Sequence, residues 1–136
     1  MQSGKFFEEV FLENFASSDY SFRSFRKASE KEDREEGTDF FCGGLRFDIT
    51  EDFCGKDNLT LKAGIHLPNF WVELGIRTGN QRVTFREPVV VLGIQVPSCT
   101  SKKEIVRELS NHWSELFGKS FDLWCAYDDM CAKKED

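Results

Sequence analysis

The chain has 136 residues, a formal net charge of -6, 40% hydrophobic and 31% charged content, the make-up of one globular domain able to bury about two-thirds of its unfolded surface. The acidic balance speaks against a general nucleic-acid binder, because binding a polyanion is driven by Lys and Arg displacing its counterions. No apolar run approaches the roughly 18 residues of a membrane span, and charge interrupts the start of the chain, so a cytoplasmic protein with no membrane segment is expected.

Phe6, Phe7, Val10, Phe11 and Phe15 fall at helical spacing, which predicts an amphipathic helix over residues 4–16. Tyr20, Phe22 and Phe25 then precede the charged run 26–36, read as a solvated helix or connector. Segment 37–50, GTDFFCGGLRFDIT, is a hairpin: Gly43-Gly44 suits a two-residue turn, which pairs Cys42 with Leu45, Phe41 with Arg46, Phe40 with Phe47 and Asp39 with Asp48. Alternation puts Phe40, Cys42, Leu45, Phe47 and Ile49 on a core face and Asp39, Phe41, Arg46, Asp48 and Thr50 on the other.

A polar connection over residues 51–58 leads to a third strand at 59–66, a fourth at 70–78 and a continuously apolar fifth at 88–96, the last read as covered on both faces. Thr100 or Ser101 with Glu104 signals a helix through about Phe117; Gly118 is read as its stop, and a second helix follows from Phe121. The expected architecture is a single α+β domain, residues 1–136, with a largely antiparallel five-stranded sheet (38–96) flanked by N-terminal (4–33) and C-terminal (101–131) helices. Five cysteines without CxxC spacing are read as reduced thiols rather than a zinc site or disulfide framework.

The hairpin poses a physical problem. Directly opposed residues have Cβ atoms roughly 5 Å apart, where two full carboxylate charges repel by about 3 kcal/mol at an effective dielectric near 20. A bridging divalent cation, a shared proton, pairing with Arg46 or a hairpin that splays open at Asp39 would each relieve Asp39 and Asp48.

Thr38-Asp39, eight intervening residues and Phe47-Asp48-Ile49-Thr50 resemble the pattern of PD-(D/E)XK nucleases over the hairpin alone. The resemblance implies that Asp39 and Asp48 hold Mg²⁺ or Mn²⁺, which activates water for attack on nucleic acid. Thr50 stands where that family carries a lysine, and a hydroxyl supplies no positive charge. Lys56 in the connection or Lys62 on the third strand would have to stand in for it, Lys62 sharing its face with His66.

Two further features point to binding. Arg77, Asn80, Arg82 and Arg86 make a basic loop suited to an anion. Trp71, on the non-core side of its strand, and the Trp124/Tyr127 pair are candidate interface anchors. With the acidic segments 30–36, 51–57 and 128–136, they define the second expectation: a non-enzymatic acidic module, by analogy with small proteins of phages and mobile elements, that occupies the basic nucleic-acid channel of a partner protein.

Overall fold

In the computed structural model the described residues are 26–135, apart from Glu51, Asp57, Asn69 and Ser98 and the side chains of Lys102, Val106, Lys134 and Glu135. The expected helix at 4–16, with Tyr20, Phe22 and Phe25, lies outside the described residues. In chain order the elements are β1 (Arg26–Lys27), α1 (Glu30–Glu36), β2 (Phe40–Cys42), β3 (Leu45–Thr50), β4 (Leu59–His66), β5 (Trp71–Gly79), β6 (Thr84–Gln95) and α2 (Lys102–Glu135).

The hairpin forms in the expected register, Phe40 opposite Phe47, Phe41 opposite Arg46 and Cys42 opposite Leu45. Gly43 and Gly44 both take positive φ, 58° and 83°, the backbone that a tight two-residue turn requires and that glycine adopts without steric cost. The ladder stops at Phe40 and Phe47. Asp39 is therefore not a ladder partner of Asp48: its N–H donates to Phe47 O at 2.7 Å, and its carboxylate accepts from Ile49 N–H at 2.8 Å.

The strands make one six-stranded sheet in the order β1-β2-β3-β6-β5-β4. The α+β architecture and the largely antiparallel pairing are as expected, but the count of five strands needs correction, and one pairing is parallel. β1 adds a sixth strand opposite Phe40 and Phe41, and β3 runs parallel to β6, with Asp48 beside Val91 and Thr50 beside Gly93. β6 is central, and Val89 to Ile94 are all buried, as its unbroken apolar run predicts. The C-terminal helices also merge into one helix of 34 residues. Gly118 does not stop it, because the apolar stripe that begins at Ile105, Leu109, Trp113 and Leu116 continues as Trp124 and Tyr127 against the same core.

That helix covers one face of the sheet. Phe40 and Phe47 stack at 5.0 Å between ring centroids, and Trp113 tilts over Phe47 at 5.8 Å. Phe40, Phe47, Leu74, Ile76, Leu92, Ile105, Leu109 and Leu116 are fully buried there, each contributing about 2 kcal/mol of apolar transfer free energy.

Strand order dictates what covers the opposite face. β3 lies beside β6 while its successor β4 lies at the far edge, so the connection must cross the sheet over β6 and β5. Phe53 is the plug of that crossing, 5% exposed. It packs on Gly93 of β6 and Gly75 of β5, where a Cβ would lie 2.6 Å and 3.2 Å from its side chain. Two side-chain-free positions inside otherwise apolar strands thus make the floor on which the chain returns. α1 packs on the same face, with Phe85 of β6 beneath Gly37; a Ser29/Glu32 capping box opens this helix and Gly37, at φ 60°, closes it.

Candidate functional site

Asp48 is a carboxylate that the fold buries. It projects from β3 onto the face crossed by the connection and is 7% exposed. Its Oδ2 is buried without a well-formed hydrogen bond, and cations meet its charge: Lys56 Nζ at 3.1 Å and Arg77 Nη1 at 4.0 Å. Each comes from a different element, Lys56 from the crossing connection and Arg77 from β5. A carboxylate removed from water at this depth is expensive unless compensated, and two nearby cations supply the compensation.

The other nuclease-like positions are also engaged within the chain. Asp39 caps the Ile49 amide, and buried Thr50 accepts from Asp52 N–H through Oγ1 at 3.0 Å. Arg46, an expected neutraliser of the acidic pair, turns instead to Glu36 at 2.8 Å and Glu87 at 2.9 Å and lies over the Phe41 ring. Lys62 and His66 sit on β4, which β6 and β5 separate from β3. Of the two lysines considered, the fold brings Lys56 to Asp48 and carries Lys62 to the opposite edge.

As arranged, these groups do not suit a divalent cation. Two positive side chains occupy the environment of Asp48, Asp39 holds a backbone amide, and among the described residues no group of three His, Cys, Asp or Glu is placed to bind a metal ion. A Mg²⁺ or Mn²⁺ site needs several oxygen ligands converging with an excess of negative charge.

The basic loop does not converge either. Asn80 organises the β5–β6 turn, accepting the N–H groups of Arg82 and Val83 through Oδ1, each at 2.8 Å. Arg77 is drawn beneath the sheet face toward Asp48, whereas Arg86 is 84% exposed and 4.0 Å from Glu36. Arg82 is exposed in the turn. Trp71 is half-buried, its ring 3.9 Å from that of His66 and directly over Gly64. Trp124 and Tyr127 are half-buried along α2. A hydrogen bond to Cys131, reinforced by burial, raises the Tyr127 phenol pKa.

Comparison with protein families, characterised proteins and solved structures gave no match. The pairing of Arg77 with Asp48 escaped the sequence reading although alternation places both on the non-core face. The missing information was that β3 and β5 flank the same strand, β6. Among the described residues no helix is long and apolar enough to cross a membrane.

Proposed function

We propose that this chain acts by binding another protein rather than by cutting nucleic acid. The observation that carries the reading is the 3.1 Å approach of Lys56 to Asp48 beneath the crossing connection: the acid best placed for metal chemistry is buried and neutralised by the protein itself. A carboxylate in that position is suited to holding the connection to the sheet rather than to presenting free charge to a substrate.

The outer surface supports the same conclusion. Glu30, Asp33 and Glu35 on α1 and Asp128 and Asp129 near the end of α2 are exposed, within a chain of net charge -6. Such a surface attracts a basic partner and accelerates its encounter. A nucleic-acid-binding protein, whose own site is built to receive phosphates, is the partner of that chemistry. All five cysteines are free, which suits the reducing cytoplasm.

The test is a calorimetric titration of Mn²⁺ into the wild-type protein and a D39A/D48A variant, with cleavage of single- and double-stranded DNA followed alongside. The expected result is no metal-dependent cleavage by either protein, together with a metal-independent, salt-sensitive complex with a basic nucleic-acid-binding protein. Metal binding and cleavage by the wild type, lost together in the variant, would overturn the binding reading and establish the metal-dependent nuclease instead.

A further inference from the structure

The far edge of the sheet carries a second recognition feature. Among the described residues β4 pairs with β5 alone and is the last strand of the sheet. The edge has two dissimilar halves. Between Thr60 and Ala63 the register shifts, Leu61 takes a left-handed φ of 52°, and Lys62 is exposed; a bulge and a lysine are devices that discourage another strand from pairing. From Ala63 to His66 the ladder is regular.

The direction of the backbone groups in that regular half follows from one hydrogen bond. Leu67 N–H donates to Phe70 O at 2.8 Å, making these two residues a hydrogen-bonded pair. Bonded and non-bonded pairs alternate along an antiparallel ladder. Ile65 with Val72 and Ala63 with Leu74 are therefore the next bonded pairs, while Gly64 and His66 turn their N–H and C=O groups away from β5. The contact of His66 with Trp71, 3.9 Å between rings, fits this phase, because side chains approach more closely in non-bonded pairs.

Those outward-facing groups open onto a cleft. A cavity of about 560 Å³ runs between this half of β4 and α2, lined by Gly64 and His66 on the strand and by Glu115, Gly118, Lys119 and Asp122 on the helix. Glu115 and Asp122 are two helical turns apart on one face, with Lys119 between them, so with neutral histidine the wall carries one excess negative charge. Glu115 also lies 3.5 Å from His112 Nδ1.

From these juxtaposed features we infer that an extended peptide segment of a partner protein adds as a strand along Ala63–His66 and places a cationic side chain in the cleft, against the carboxylates of Glu115 and Asp122 that flank Lys119. Backbone hydrogen bonds to Gly64 and His66 supply affinity, and the acidic helix wall supplies selectivity. The bulge at Thr60–Ala63 limits the added strand to the regular half of β4. This assignment rests on the protein-binding reading above and names the surface through which it operates.

The probe is a fluorescein-labelled peptide of alternating Thr and Val with one central Arg, titrated by fluorescence polarisation and followed by amide hydrogen exchange. Saturable binding is expected, with slowed exchange at the Gly64 and His66 amides. N-methylation of alternate peptide residues should abolish binding. The E115Q/D122N variant should weaken the Arg peptide about fivefold, the scale of partly exposed ion pairs, and leave a norleucine analogue unaffected. The H66P variant, which removes an outward donor but no β4–β5 hydrogen bond, should bind poorly while its circular dichroism shows it folded.

Binding insensitive to N-methylation, or exchange unchanged at Gly64 and His66, would overturn the strand-addition assignment. So would a concentration-dependent dimer by sedimentation that H66P abolishes, which would give the edge to a second copy of this chain. A basic partner protein that binds H66P as tightly as wild type would remove this surface and leave the binding reading standing. Metal-dependent DNA cleavage would remove that reading whatever the peptide does.

Discussion

Phe53 lies so close to Gly93 that a methyl group added to the glycine would stand 2.6 Å from the phenylalanine Cβ. The crossing connection is thereby tied to the centre of the sheet. Replacing Gly93 with Ala should displace Phe53 and destabilise the fold by about 2 kcal/mol, the cost of overpacking a filled interior. Phe53→Ala should cost about 3 kcal/mol through the cavity it leaves. Phe53→Ala keeps the Cβ but removes the ring carbons that would lie 3.0 Å from the added methyl, so the G93A/F53A double variant should lose less than the sum by part of the overpacking cost. Urea denaturation of the four proteins measures the coupling.

The ion cluster beneath that connection makes a different prediction. Asp48→Ala would remove the carboxylate that Lys56 and the 11%-exposed Arg77 side chain both approach, and should cost about 3 kcal/mol, as expected when one partner of a buried pair is removed. Lys56→Met retains the aliphatic stem and leaves Arg77 beside Asp48, so its cost should be nearer 1 kcal/mol. Equal losses from the two variants, measured by urea denaturation, would contradict the arrangement in which Arg77 shares the charge.

How far the sequence specifies this site depends on the distance between the residues involved. The Gly43-Gly44 turn sets the hairpin register locally, and the apolar run of β6 announces a strand buried on both faces. The opposition of Asp39 and Asp48 follows from extending that register by one residue, but the Ile49 amide offers the Asp39 carboxylate a stronger partner than a repelling acid. The parallel contact of β3 with β6 is a long-range pairing with no turn to mark it. Without it, Gly75 and Gly93 are unexplained gaps in apolar strands, and Arg77 has no visible reason to approach Asp48. The same missing strand order left Lys62 as a candidate beside the hairpin.

At the opposite edge of the sheet, acid should loosen α1. The Arg26 guanidinium hydrogen-bonds the Glu32 carboxylate, the Ser29 N–H donates to it as well, and together they hold its pKa down from 4.5 to about 2. Because the folded value is depressed, the stabilisation is fully present above the unfolded value and is lost as pH falls from about 4.5 through about 2. A ¹³C titration of the Glu32 carboxyl should show the low midpoint, which R26Q should raise. Ser29→Ala removes the hydroxyl that accepts Glu32 N–H at 3.2 Å and should cost about 1 kcal/mol at neutral pH.

Gly118 tests the continuity of α2 by the sign of its effect. If two helices met there, with glycine closing the first in the left-handed conformation, alanine would be strained and Gly118→Ala would destabilise the protein. In the continuous helix observed, Gly118 is an exposed interior residue and a Cβ on it would meet nothing within 4 Å. Alanine then gains about 1 kcal/mol by restricting the unfolded chain and favouring helical backbone. A rise of about 3 °C in Tm is expected for a domain of this size. The added methyl projects where Gly118 lines the cleft beside β4, so the same variant should be more stable yet bind the Arg peptide less well. Stability and recognition would then separate at one atom, a result that a helix break at Gly118 would not produce.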